Sequence, residues 1–395
     1  MQSDVNFPLV PCKPATLIIQ PKFNQCKRFV LRPHFPFIYL TISILGSSII
    51  FGLSLKYTLR FVPSTCCLMA TAQNIFAQDN YSGKVFLQHK GNITAIYGGG
   101  EIDKAIAASA NGDTLFLSKG TFASNFTINK SICLIGSGAE DRGNTQSSTY
   151  FEWNGNPRIN AGDSKTISSV TIEGIYCGPG FYAEGKIENL KFKKCYISNI
   201  LDISNSDNDG YTKKVIVDRC YLSSISINGS IEDATIKNCK INNAYGQGGQ
   251  TVSSCKFINC NIRRVDTNTK AMFVNSIINE VSNGTDQYLG NNAILVNTLY
   301  HSMKGYDPME KTSQQDSWST TETVINNDNG DMECPMTVEQ RQAAGYLGVD
   351  GTVVGIEGGV NPFSLTLHAP SIKSNSTNVD LNNKKVTINV NVTAN

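Results

Sequence analysis

The stretch IENLKFKKCYISNI, residues 187–200, recurs in altered form down the middle of this chain. Placing 215–225, 234–244, 255–265, 271–281 and 293–303 beneath 190–200 returns the same order of residue types, and 170–180 is a looser copy. The position of Cys195 becomes Cys220, Cys239 and Cys260, then Ser276 and Thr298, so it always holds something small. The position before it becomes Asn238, Asn259, Asn275 and Asn297. Two places earlier still, Phe192, Val217, Ile236, Phe257, Phe273 and Leu295 are all apolar.

From copy to copy the chain advances 25, 19, 21, 16 and 22 residues. That is too irregular for helical arrays of fixed period and suits short strands joined by loops of variable length. Within a copy, Leu190 and Phe192 alternate with Lys191 and Lys193, a period of two that belongs to strands. A coil that returns to the same phase every twenty residues or so stacks each strand on its own copy, and identical columns run along the stack. Asparagine suits the bend of such a coil, because it tolerates the left-handed conformation and its amide can bond to copies above and below. The expected fold is an all-β parallel β-helix; an antiparallel sandwich of short strands is the alternative that the columns argue against.

A net charge of +2 with 17% charged residues gives no basic field for nucleic acid and no acidic tail. Residues 1–54 scatter Pro, Lys and Arg before an apolar run at 35–55, about long enough to cross a bilayer. Taken literally that run is a signal anchor with Lys27, Arg28 and Arg32 on the cytoplasmic side, and membrane contact is expected only in that case. A second signal follows at 55–77: basic residues at 56–60, an apolar segment at 61–72, and Ile75-Phe76-Ala77 before Gln78 as a cleavage site. Two export signals in tandem point to translation starting near Leu55, with 1–54 a mis-assigned upstream extension. The mature chain is then an exported one beginning at Gln78.

Four of the twelve cysteines, Cys12, Cys26, Cys66 and Cys67, fall in the leader, and the even number left invites a disulfide framework. The column argues otherwise. Cysteines on adjacent rungs lie ~4.8 Å apart with parallel Cβ vectors, whereas a disulfide needs its Cβ atoms directed at each other. Cys195, Cys220, Cys239 and Cys260 read as small buried apolar spacers with free thiols. A thiolate metal site is disfavoured because no His or carboxylate recurs beside them.

Ahead of the repeats, 101–110 carries Ile102, Ala105, Ile106 and Ala110 on one face, the spacing of a short amphipathic helix. An open solenoid end exposes core and unpaired edges, so this helix is expected to plug it. The following NGDTLFLSKGTFASNFTINKSICLIGSG, 111–138, supplies a strand at 115–117, a Gly120 turn and strands near Phe126 and Ile132. This succession resembles the first coil of right-handed parallel β-helix proteins of the pectate-lyase-like superfold, and the likeness covers about 98–303. GVDGTVVGIEGGVNPF, 348–363, is similar to the ending of many secreted Bacteroidetes β-helix proteins, and a signal peptide that leaves Gln resembles those of the same bacteria. The resemblance implies a secreted or cell-surface protein, or one of the outer membrane or periplasm, in a Gram-negative bacterium. It says little about chemistry, because this superfold carries lyases, hydrolases, adhesins and inert stalks.

Residues 304–336 are polar and lack the repeat anchors, so the coils are expected to stop before them. INNDNGDME, 325–333, fails as a calcium loop: with Gly330 at the required glycine, Ile325 stands where the first carboxylate belongs. A helix is expected over 337–345 with a capping box at Thr337 and Gln340. After an Asn382-Asn383 turn, Val386, Ile388, Val390 and Val392 alternate as a closing strand.

For chemistry, the outward column Glu173, Lys193, Asp218, Lys237 alternates in sign from rung to rung, which favours the correct register. A polysaccharide lyase of the resembled superfold is expected to gather carboxylates around calcium with a Lys or Arg base in one groove. Here lysines separate the carboxylates, and the close carboxylate pair of a hydrolase is missing from any one column. His89, His301 and His368 share no motif, while Glu188, Asp207 and Asp209 lie outside the columns. No catalytic residue, metal site or cofactor is therefore assigned, and calcium enters only with the lyase reading. The column after the cysteines carries Tyr176, Tyr196 and Tyr221, then Lys240 and Asn261. Outward aromatics with polar neighbours suit the apolar faces of sugar rings, although tyrosine also simply favours strands. The expected function is glycan contact by a surface or secreted protein, with a polysaccharide or cell-surface glycan as partner; a lyase or hydrolase and a structural or adhesive stalk are the alternatives.

From the fifth copy the outward positions turn apolar, as Ile258, Val274 and Val296 in one column and Ile277 and Leu299 in its neighbour. Such a patch needs cover. Residues 304–395 emerge beside it and are expected to fold back over it.

Overall fold

The computed structural model describes residues 81–367 apart from 141–147, 161, 163–164, 205–209, 228–230, 247–253, 267–268, 282–292, 302–316, 321 and 327–331. Outside that span it describes four strands, Ile42–Ile44, Ser47–Ile49, Ser371–Asp380 and Lys385–Thr393. The export signals, Asp207, Asp209, His368, most of the 325–333 loop and the Asn382-Asn383 turn lie outside the described residues, except that the first two strands fall in the apolar run. The chain divides into two compact units, 1–78 with 372–392, and 79–371 with 393–395. In the first, Ile42–Ile44 pairs antiparallel with Ser47–Ile49, and Ser371–Asp380 forms a two-stranded sheet with Lys385–Thr393.

The second unit is a parallel β-solenoid. Two 13-stranded sheets run its length, and almost every pairing in them is parallel between one coil and the next. The repeat alignment is the physical register: Val170 pairs with Leu190, Val215 with Ala234, Ala234 with Cys255, and Ala271 with Ala293. Inward residues of each strand, Phe192, Val217, Ile236, Phe257 and Phe273 among them, are fully buried in one continuous core. Phe257 and Phe273 stack on successive rungs with centroids 5.0 Å apart and planes 13° from parallel.

Each coil bends after its first strand through one residue at positive φ. This residue is Gly174 (65°), Lys194 (49°), Arg219 (54°), Asn238 (50°), Asn259 (51°), Asn275 (52°) and Asn297 (43°) in turn. The bend selects Asn, as the sequence implied, yet a Lys and an Arg also occupy it, so the column is defined by backbone conformation rather than by one side chain.

The cysteine column is buried and its thiols are free. It is a hydrogen-bonded column rather than one of apolar spacers. Cys195 N–H donates to Cys220 Sγ at 3.4 Å and Cys220 N–H to Cys239 Sγ at 3.3 Å, and the pattern continues from Cys260 to Ser276 Oγ and from Ser276 to Thr298 Oγ1. The thiols donate in turn to carbonyls of their own strand and of the preceding coil, as Cys239 does to Lys237 and Val217. The column therefore wants a small side chain with both a donor and an acceptor, which Cys, Ser and Thr share.

At the N-terminal end, β1 (Lys84–His89) and β2 (Asn92–Gly98) form an antiparallel hairpin that the repeat pattern did not reveal. Its two-residue turn, Lys90-Gly91, takes φ of 48° and 86°, the left-handed pair that such hairpins need. β1 also pairs antiparallel with Thr114–Leu117, from which the parallel coils begin. Helix α1 (Ile102–Ala108) buries Ile102, Ala105 and Ile106 in the core. It is shorter than expected: Ser109 terminates it and Ala110 is exposed. Ala110 N–H instead binds Asp113 Oδ2 at 2.8 Å.

At the other end the second sheet gains one strand beyond the repeats, Trp318–Thr320, parallel to Leu299–His301. Ser317 Oγ accepts Thr298 N–H at 3.3 Å and so continues the cysteine column. Helix α2 (Val338–Ala343) begins with the expected capping box: Thr337 Oγ1 accepts Gln340 N–H, and Gln340 Oε1 accepts Thr337 N–H.

Ile277 and Leu299 are covered, as the apolar patch required. They lie in a second buried cluster with Val324, Ile325, Met332 and Val354, while Ile258, Val274 and Val296 are half-buried. From Tyr346 onward the chain runs back along the bend as a strap. Leu347 O accepts from Asn297 Nδ2, Val349 N–H donates to Asn275 Oδ1, Ile356 N–H to Asn261 Oδ1, and Gly358 O accepts from Asn238 Nδ2. Thr366 O accepts from Lys194 Nζ, and Leu367 reaches Gly174. The side-chain amides of Asn238, Asn275 and Asn297 on the bend, and of Asn261 two places past it, thus serve the strap, where the sequence suggested bonding between copies, while Asn259 Oδ1 is buried without a partner. Gly348, Gly355 and Gly359 follow from this close approach. A Cβ on Gly355, at φ 96°, meets Asn261 Oδ1 at 2.7 Å and Ile277 Cδ1 at 2.8 Å, and one on Gly359 meets Asn259 Nδ2 at 2.3 Å.

Candidate functional site

Tyr176, Tyr196, Tyr221 and Lys240 stand on four consecutive rungs of one column, in the order the repeats implied. The column begins earlier, at Tyr150, and runs on through Asn261, Ile277 and Leu299 to Trp318. Strand stacking fixes the geometry of the rings. Tyr176 and Tyr196 lie 4.5 Å apart and 5° from parallel, Tyr196 and Tyr221 4.3 Å and 6°, whereas Tyr150 is tilted by 56° on Tyr176 at 5.2 Å. Inner rings therefore spend their faces on one another, and Tyr196 is only 6% exposed. Burial, with the neighbouring Tyr176, pushes the Tyr150 phenol above its ordinary range.

Lys240 is held by the strap side of the molecule. Its ammonium contacts Glu333 Oε1 at 3.1 Å and lies 5.3 Å from the centre of the Phe363 ring. Asn261, next in the column, is fully buried and binds Met332 O and Ile356 N–H. The aromatic column is thus half-open at its first rungs and roofed at its last.

At the first rungs stands a residue that the repeat pattern missed. Trp153 is 61% exposed, three residues beyond Tyr150 on the same coil, and its indole lies across Gly178 of the next coil, where a Cβ would meet Nε1 at 2.7 Å. The signal was available: a tryptophan outside every apolar alternation, with the next coil offering glycine beneath it. Tyr150 was missed because its coil carries neither the cysteine nor the asparagine anchor.

The alternating charges are in register, Glu173 beside Lys193, Asp218 and Lys237 in turn. No ion pair joins them to one another among the described residues. Asp218 instead takes Arg219, its chain neighbour, at 2.9 Å, and its second oxygen is buried without a partner. The register is held by the ladder and core, and the charges follow it. Burial, with the charge of Arg219, lowers the Lys194 ammonium below its ordinary range, and this nitrogen is spent on Thr366 O.

Titratable groups elsewhere are scattered. His89 Nδ1 contacts Asp113 Oδ1 at 2.7 Å, His301 ends a strand, and Glu188 accepts from the Tyr211 hydroxyl at 3.3 Å. Among the described residues no three His, Cys, Asp or Glu side chains come together to hold a metal, and no helix is long and apolar enough to cross a membrane. Comparison of the chain with known protein families, with curated proteins and with solved structures finds no match.

Proposed function

We propose that this chain is an exported right-handed β-helix protein of the pectate-lyase-like superfold, from the surface or secreted complement of a Bacteroidetes-type bacterium, and that it contacts glycans without a strong catalytic apparatus. The leader at 55–77 and the ending at 348–363 support the compartment and lineage. The observation that carries glycan contact is Trp153, an exposed indole braced on a rigid coil beside the outer, tilted ring of the tyrosine column. A flat aromatic with polar surroundings is the surface that takes the apolar face of a sugar ring. In this reading the ligand lies on Trp153, Tyr150 and Tyr176, with Tyr196, Tyr221 and Lys240 extending and stiffening the platform.

A screen of the mature protein on a glycan array tests this reading. Binding that falls at least tenfold in Trp153→Ala, with the circular dichroism unchanged, supports it; binding to nothing, or binding indifferent to Trp153→Ala, sinks it. The stacked inner rings favour a second reading, a structural or adhesive stalk, which the empty array would select. A calcium-dependent rise in ultraviolet absorbance on uronate polymers would instead select a lyase.

A further inference from the structure

The start of the solenoid presents an outward apolar row with the most exposed side chains of any such row among the described residues. Ile96 of β2 pairs with Phe86 of β1, Phe86 with Phe116, and Phe116 with Ile135. All four face outward: Ile96 is 62% exposed, Phe116 36%, and Phe86 and Ile135 are half-buried. Ile93 adds a further 50% exposed side chain. β2 is also the terminal strand of its sheet, paired only to β1 among the described strands. Its sequence, NITAIYG, contains no charge and no proline. Edge strands are ordinarily guarded by those features, because their free N–H and C=O groups are a template for another strand. This one is unguarded and flanked by exposed isoleucines.

We propose that β2 is a self-association edge, at which two copies of this chain pair their Asn92–Gly98 strands antiparallel about a two-fold axis near Ala95. Such a contact is isologous, so one self-complementary strand suffices. With Ala95 on the axis, Thr94 stands opposite Ile96 of the second copy and Ile93 opposite Tyr97, and the two apolar rows join into one band. In this register Lys90, at the hairpin turn beyond one end of the strand, comes to the end where the second copy carries Asp103 on the first turn of α1, Glu101 there being already paired with Lys104 at 2.8 Å. A parallel pairing would set Lys90 beside Lys90. The edge lies apart from the strap, and its use does not depend on glycan contact.

Sedimentation of the full chain over a concentration series tests the proposal. The expected result is a mass that doubles with concentration, and that returns to the monomer's in Ile96→Lys and in Ile93→Lys without change in circular dichroism. In the wild type, amides of 92–98 are expected to gain protection from hydrogen exchange as concentration rises, a readout that needs no variant. A wild type that stays monomeric, a dimer that both variants preserve, or amides at 92–98 indifferent to concentration would each overturn it.

Discussion

One outward column of this solenoid is apolar at both ends and charged in the middle, and its two ends are treated differently. At the C-terminal end Ile277 and Leu299 of the neighbouring column are buried with Val324, Ile325, Met332 and the strap's Val354, while Ile258, Val274 and Val296 are half-buried. At the N-terminal end Ile96 and Phe116 are exposed, Phe86 and Ile135 are half-buried, and no described strand pairs with the outer edge of β2. The strand chemistry is the same. What differs is the supply of chain with suitable backbone: the strap can lie on the bend because glycines remove the Cβ atoms that would strike Asn259, Asn261 and Asn275. A solenoid coil can therefore be written in apolar residues on its outer face, provided a glycine-rich segment is written to match.

The sharpest way to break the covered end is at Gly355. Alanine there combines a left-handed backbone, which costs an L-residue ~1–2 kcal/mol, with contacts under 3 Å to Asn261 and Ile277, an overpacking worth ~1–3 kcal/mol. Gly355→Ala is expected to destabilise the protein by ~2–5 kcal/mol in urea denaturation. A neutral result would mean that the strap is not seated on the bend.

Arg341 comes next. It is 1% exposed, donates to Val354 O at 2.6 Å and to Glu357 Oε2 at 3.0 Å, and so ties α2 to the strap. Arg341→Met leaves the Val354 carbonyl buried without its donor, while Glu357, partly exposed, returns to water. The loss is expected to be ~2–3 kcal/mol, the scale of hydrogen bonds from a charged donor, read as a fall in thermal midpoint.

The column beneath both ends gives a finer test. Cys239→Ala deprives Cys220 N–H of its acceptor and should cost ~1–2 kcal/mol, whereas Cys239→Ser keeps donor and acceptor and should cost less. In the native protein these thiols should resist a thiol reagent that labels them rapidly in denaturant. Burial, with the neighbouring thiols, holds Cys195, Cys220 and Cys239 well above their ordinary value of 9.0. A raised pKa contributes stability that is fully present below the unfolded value and is lost as pH rises toward the folded one. The urea midpoint should therefore decline above pH 9.0, and Cys239→Ser should decline less steeply.

The open end should hardly respond. Ile96→Lys changes the stability of the isolated chain by no more than ~0.5 kcal/mol, as for an exposed site away from any special feature. A large loss would show that something covers Ile96 after all.

The solenoid was legible because its signals are periodic: Cys195, Cys220, Cys239 and Cys260, and the apolar residue three places before each, sit in register in the structure as in the alignment. What escaped was non-periodic. β1 and β2 occur once, and the coil that carries Tyr150 and Trp153 lacks both anchors. The hydrogen-bonding character of the cysteine column was present in its replacement by Ser276 and Thr298 but was read only as smallness. The path of the strap could not be drawn from periodicity at all, since it depends on which atoms a missing Cβ would strike. Its glycines and the bend's asparagines are far apart in sequence and become partners only once the coils are stacked. For the site, the column of Tyr176, Tyr196, Tyr221 and Lys240 was readable, but that its rings would face one another and that Phe363 and Glu333 would reach Lys240 was not.

Residues from Tyr346 to Leu367 are held along the solenoid's bend by bonds to Asn238, Asn275 and Asn297 on it and to Asn261 two places past it. Residue-resolved hydrogen exchange of the mature protein tests this most directly. Val349 and Ile356 N–H groups, bound to Asn275 Oδ1 and Asn261 Oδ1, should exchange as slowly as the solenoid strands beneath them and should speed up together in Gly355→Ala. Exchange of both amides at the rate of unstructured chain, while the strands stay protected, would contradict the account.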